Sequence, residues 1–122
     1  MSTTTITDVT AIGIPVSDQD KALEFFTETL GFAKQLDVRM ENFRWLTVAP
    51  PDARTSIALI ASQNPGTDTG VRFLAPDAEA EHTSMKQRGV EVGELLRWPG
   101  VPAMFQFKDS DGNTFEVVEG TG

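Results

Sequence analysis

The chain has no cysteine, no tyrosine, a single histidine and no apolar run longer than a few residues. Without cysteine there is no disulfide, iron–sulfur cluster, thiolate zinc site or cysteine nucleophile. With His82 alone, one chain cannot supply a two-histidine, one-carboxylate metal triad or a helical zinc motif with paired histidines. A Ser-His-Asp triad would have to use His82, and no serine nucleophile motif accompanies it. Apolar stretches this short do not span a bilayer. Basic residues are also few: ten Lys and Arg stand against eighteen Asp and Glu, a net charge of −8. The ten are scattered, whereas neutralising phosphates needs a basic stripe, so nucleic acid is not an expected partner. The opening MSTTTITDVTAIG has neither the basic nor the apolar part of a secretion signal, and a cytoplasmic protein is the expectation. There is no GxGxxG and no phosphate-binding P-loop.

With 122 residues, the chain reads as one domain with one core. The longest linker, Gln63 to Gly70, falls near its middle and divides two similar halves. In the first half, Ile12, Ile14 and Val16 alternate with small residues and predict a strand with one packed face. Ser17 is placed to cap the following helix, with Asp20 favouring its positive end. Ala22, Leu23, Phe26 and Leu30 recur at helical spacing, and Gly31 fits a left-handed stop. Strands follow over Lys34–Arg39, Phe43–Ala49 and Ser56–Ala61, the last two separated by Pro50-Pro51-Asp52.

The second half repeats this order. Val71–Leu74 predicts a strand, Asp77 caps a helix over Ala78–Arg88, and Gly89 ends it. A strand over Val90–Leu96 follows, open to a break at Gly93. Trp98 to Pro102 reads as a loop, and Met104–Lys108 and Thr114–Glu119 as a hairpin around Asp109-Ser110-Asp111-Gly112-Asn113. The caps align: Asp18 to Gly31 spans 13 positions and Asp77 to Gly89 spans 12. The fold class expected is α+β, as two tandem βαβββ modules over about residues 7–62 and 69–120.

Three stretches carry a resemblance to a known family. They are Ile14 to Phe26 with Leu30-Gly31-Phe32, Asp77 through Gly89-Val90, and Asp109 to Glu119. In this order they resemble the vicinal oxygen chelate superfamily, which includes glyoxalase I, extradiol dioxygenases, fosfomycin-resistance enzymes and bleomycin-resistance proteins. The resemblance implies a cup-shaped sheet with helices outside. Metal-dependent members hold a divalent ion in that cup, and their four ligand positions fall here at Ala11, Ala58, Gly70 and Glu116. Gly70 is placed to within about one residue. Only Glu116 has ligand chemistry, and one carboxylate is a poor divalent-ion site. No metal, cofactor or catalytic residue is therefore expected.

Strand alternation in phase with those positions turns Arg72, Glu116 and Val118 toward the cup and leaves Phe115 and Val117 to the core. Gln106 stands where fosfomycin-resistance relatives face their ligand. The candidate ligand-binding residues are Trp45, Arg72, Trp98, Gln106 and Glu116. Each has a plainer reading: Glu116 pairs with Arg72, Trp45 belongs to the core, and Trp98 touches a second subunit. His82 reads as a half-buried, hydrogen-bonded histidine. Asp109-Ser110-Asp111-Gly112 is out of phase for a calcium loop, since position one would be Phe107 and position twelve Val118. The function expected is non-covalent binding of a small organic molecule, cationic or aromatic, by a homodimer of the bleomycin-resistance type. Its rivals are an enzyme using an atypical metal or Glu116 as general base, and a pure interaction module.

Overall fold

The computed structural model describes residues 3–121. The element order is β1 (Ala11–Val16), α1 (Gln19–Glu24), a π-helical turn (Phe25–Thr29), β2 (Ala33–Met40), β3 (Phe43–Ala49), β4 (Ser56–Ala61), β5 (Asp68–Ala75), α2 (Ala78–Gln87), β6 (Glu91–Val92), β7 (Leu96–Trp98), β8 (Val101–Lys108) and β9 (Thr114–Glu119). Two sheets result, ordered β1-β4-β3-β2 and β5-β9-β8-β6, with β7 also on β8. In each, the strand before the helix pairs in parallel with the last strand of its half, and the other pairings are antiparallel.

One expectation fails at the first helix. Asp18, not Ser17, is the N-cap, its carboxylate accepting from the amides of Asp20 and Lys21 at 3.0 and 3.1 Å. Ser17 instead turns to the other half of the chain, donating its amide and hydroxyl to Asp111. The helix also does not stay α-helical to Leu30. It widens over Phe25–Thr29, where the Leu30 amide reaches the Phe25 carbonyl, and Thr27 Oγ1 donates to the Leu23 carbonyl. Such back-bonding loosens the α ladder, and a π turn absorbs one extra residue. Gly31, at φ +83°, then reverses the chain. In the second half, Asp77 caps α2 as expected, accepting from Ala80.

Strand β5 begins at Asp68, within the expected linker Gln63–Gly70, because Thr69 and Thr114 draw this stretch onto β9, and further differences lie near Trp98. The expected strand over Val90–Leu96 is two pieces, and Trp98 is a strand residue paired with Val101 across Pro99-Gly100. Gly100 at φ +76° makes so short a turn possible.

One core serves both sheets. Ile14 and Val16 of β1, Leu46 and Val48 of β3, and Phe105, Phe107, Phe115 and Val117 of the second sheet are all buried in it. Phe26 stands edge-on to Phe115 at 5.7 Å and Phe32 edge-on to Phe73 at 5.3 Å. Each of these pairs joins the first half to the second. Aromatic pairs add about 0.5–1.5 kcal/mol beyond their burial, so the rings fuse the halves.

Candidate functional site

Because β1 buries Ile14 and Val16, its alternate residues Ala11, Gly13 and Pro15 lie on the opposite face of the first sheet. The register extends that face across the sheet. Gly13 is opposite Ala58, Ala58 opposite Thr47, and Thr47 opposite Leu36. Val38 pairs with Trp45 and Met40 with Phe43 on the same face. Leu36, Val38, Met40 and Phe43 are 45–56% exposed. Phe43 and the half-buried Trp45 stack at 6.3 Å with 27° between their planes. This is an apolar strip without a cover among the described residues.

The matching face of the second sheet carries the polar groups. Arg72, Glu116 and Gln106 are cross-strand neighbours in one line over β5, β9 and β8. Arg72 Nε donates to Glu116 Oε1 at 2.7 Å. The line borders a cavity of about 150 Å³, lined also by Asp68, Gly70 and Thr114. All of its lining residues come from the second half of the chain.

The structure thus brings Arg72, Gln106 and Glu116 together. Trp45 lies on the other sheet, beside Phe43, and Trp98 is 52% exposed at the end of β7; neither lines the cavity. The strip Leu36, Val38 and Met40 was not among the expected site residues. Its signal is the alternation with Gln35, Asp37 and Arg39 along β2.

The donor set does not fit a divalent metal. Ala11 and Ala58 offer methyl groups, and Ala58 is buried against β3. Gly70 has φ +71°, a backbone that a histidine side chain adopts only with strain. Glu116 already holds Arg72. Among the described residues no three His, Cys, Asp or Glu converge. The turn before β9 is likewise occupied by the protein itself. The Asp109 carboxylate accepts from the amides of Asp111 and Asn113 and from Asn113 Nδ2. Burial pushes the Asp109 carboxyl above its ordinary value, against those bonds. His82 Nε2 lies 2.8 Å from the Gly93 carbonyl, and its ring stands edge-on to Phe105. Both contacts fix the imidazole within the packing of α2.

These two sheets, of four and five strands, each with its first and last strands parallel neighbours and one helix after the first strand, define a class of protein. A family model for the Glyoxalase/Bleomycin resistance protein/Dioxygenase superfamily matches residues 8–117, and the chain belongs to that superfamily. A member of it from Sphaerobacter thermophilus DSM 20745 superposes with a TM-score of 0.89 at 36% identity, covering 94% of this chain and 98% of that one. TnmS3, an antibiotic binding protein from Streptomyces sp. CB03234, superposes with a TM-score of 0.87 at 32% identity, covering 98% and 100%. The uncharacterised protein YurT of Bacillus subtilis is 32% identical over 124 residues, which cover 91% of this chain and 98% of YurT. Among the described residues no helix is long and apolar enough to cross a membrane.

Proposed function

We propose that this protein binds a small, flat, largely apolar organic molecule without transforming it, and does so as a homodimer. The observation that carries this reading is the second sheet's open face. A cavity with hydrogen-bonding side chains borders Gly70 and Glu116, two of the four positions to which the resemblance assigns metal ligands, and at the three positions other than Glu116 the residues Ala11, Ala58 and Gly70 supply no donor. Polar side chains converging on one cavity, with Val71 and Phe115 as its apolar part, suit small-molecule binding. The similarity to an antibiotic binding protein supports sequestration rather than turnover. Arg72 already occupies one Glu116 oxygen, which favours a positioning role for that carboxylate over general-base chemistry.

The homodimer follows from what each half lacks. The polar cavity draws no wall from the first sheet, and the strip of Leu36, Val38, Met40, Phe43 and Trp45 lacks a cover. Setting the first sheet of one copy over the second sheet of another closes both faces and places aromatic walls opposite the Arg72 line. Exposed apolar patches rimmed by charge mark such contacts.

Native mass spectrometry of the freshly purified protein, with elemental analysis for manganese, iron, nickel and zinc, tests this reading. The expected result is a dimer without stoichiometric metal that takes up added aromatic ligands. A strictly monomeric chain, or one metal ion per chain held through purification, would overturn it.

A further inference from the structure

We infer that the Arg72–Glu116–Gln106 line reads one edge of the ligand, and that this edge is uncharged, with a carbonyl oxygen beside a hydroxyl or N–H donor. The inference rests on the reading of the bowl as a ligand site and adds the chemistry of what is held there. The three side chains sit side by side on adjacent strands. Arg72 gives Nε to Glu116, and its Nη1 and Nη2 meet no acceptor among the described residues. Glu116 Oε2 and the Gln106 amide likewise have no protein partner there. The line therefore presents two guanidinium NH2 groups, a carboxylate acceptor and an amide that serves in either sense.

The ion pair does two things. It anchors the guanidinium through Nε, so that the outward fork is the Nη pair, a planar arrangement suited to an acceptor oxygen. It also cancels the formal charge of Arg72. Asp68 adds a negative charge to the same cavity, and Lys108, the next residue along this face of β8, is turned to Glu91 at 3.7 Å. A carboxylate or phosphate entering here meets one cation and two anions. A cation is drawn by Asp68 and Glu116 but has to displace or sit against the Arg72 guanidinium that already holds Glu116. A neutral carbonyl accepts from the fork without either repulsion, and a neighbouring hydroxyl or N–H donates to Glu116 Oε2 or Gln106 Oε1. The cavity, about 150 Å³, suits roughly one aromatic ring. One ring of an aromatic ligand fills it, and in the proposed dimer the rest of the ligand faces the apolar strip of the second copy.

Isothermal titration calorimetry on the full chain at pH 6.5 with three bicyclic probes tests this: 3-hydroxy-2-naphthamide, 2-naphthoate and 2-naphthylmethylammonium. The hydroxyamide is expected to bind at least about tenfold more tightly than the two charged probes. Arg72→Lys, which keeps the charge but not the fork, is expected to cut the advantage of the hydroxyamide to about twofold, and Arg72→Met, which leaves Asp68 and Glu116 without a cation, to put the ammonium probe first and the naphthoate last, with melting temperatures unchanged. Tightest binding of either charged probe to the wild-type chain, or a ranking unmoved by Arg72→Met, overturns the inference while leaving the cavity a binding site. Failure of all three probes to bind overturns the bowl reading and the inference with it.

Discussion

Asn113 Nδ2 donates to the Pro15 carbonyl at 2.7 Å, joining the turn before the last strand to the end of the first, 98 residues apart. The same amide also donates to Asp109, and its oxygen accepts from the amides of Gly66 and Thr67 in the linker. One fully buried side chain thus ties together β1, the linker and the β8–β9 turn. Each buried group left unpaired costs about 1–3 kcal/mol. Asn113→Ala removes its bonds to the half-buried Pro15 carbonyl and to the amides of Gly66 and Thr67, which water can reach, so urea denaturation should register a loss of about 2 kcal/mol. Asn113→Asp keeps the shape but sets a second carboxylate against Asp109, and its deficit should shrink as the pH is lowered toward 4. A loss below about 0.5 kcal/mol for the alanine variant would show that the linker and turn are held by other contacts.

The exchange of roles between Ser17 and Asp18 makes a separable prediction. Asp18→Ala removes the cap of α1 and should cost about 1 kcal/mol. Ser17→Ala removes the hydroxyl bond to Asp111 and should act only with its partner. In a double-mutant cycle with Asp111→Ala, Ser17 should couple by about 0.5–1 kcal/mol. A Ser17→Ala penalty that is undiminished in the Asp111→Ala background would return Ser17 to the role of a cap.

That exchange also shows where the sequence stops being legible. Ser17 and Asp18 are both good caps, and local chemistry ranks them nearly equally. The choice is made by Asp111, most of the chain length away. The π turn is hidden for the same reason, since Phe26 is drawn onto Phe115 by a contact that no local spacing records. By contrast, β3, β4 and β9 run over the residues their alternation and bounding turns predict. The Arg72–Glu116 pair was legible as one possibility, because both residues follow from period-two alternation about a shared register. Alternation does not say which apolar face meets solvent. Trp45 therefore reads as core or pocket with equal right until the position of the helices is known.

Acid should act on this fold through Arg44. Its guanidinium donates Nε and Nη2 to the two oxygens of Asp37, each at 2.9 Å, and Nη1 to Asp20. These bonds hold the Asp37 carboxyl below its ordinary value. A folded-state value below the unfolded one contributes stability that is present above the unfolded value and lost as pH falls through the folded one. Asp109 has the opposite sign: its raised value contributes stability that is present below the unfolded value and lost as pH rises through the folded one. Wild-type melting temperature should therefore fall as pH drops below about 4. Asp37→Asn should be less stable at neutral pH, with a visibly smaller fall on acidification. An unchanged acid slope in that variant would show that the fork contributes nothing to stability.

Trp45 and Phe115 are both large aromatic residues on strands, yet their removal should be felt in different assays. Phe115 is buried at the junction of the halves, touching Phe26, Phe73 and Phe107. Phe115→Ala leaves a cavity there and should cost roughly 3–5 kcal/mol, a large share of a small domain's total stability. Trp45 is half-buried on the open face, stacked on Phe43. Trp45→Ala should therefore cost less than Phe115→Ala, about 1–2 kcal/mol. In the proposed dimer it removes an aromatic wall of the bowl, so affinity for the naphthyl probes should fall about tenfold or more, irrespective of their charge. That indifference to charge separates Trp45 from Arg72, whose loss should change the ranking of the probes. A Trp45→Ala protein that melts far below wild type would assign the indole to the core instead.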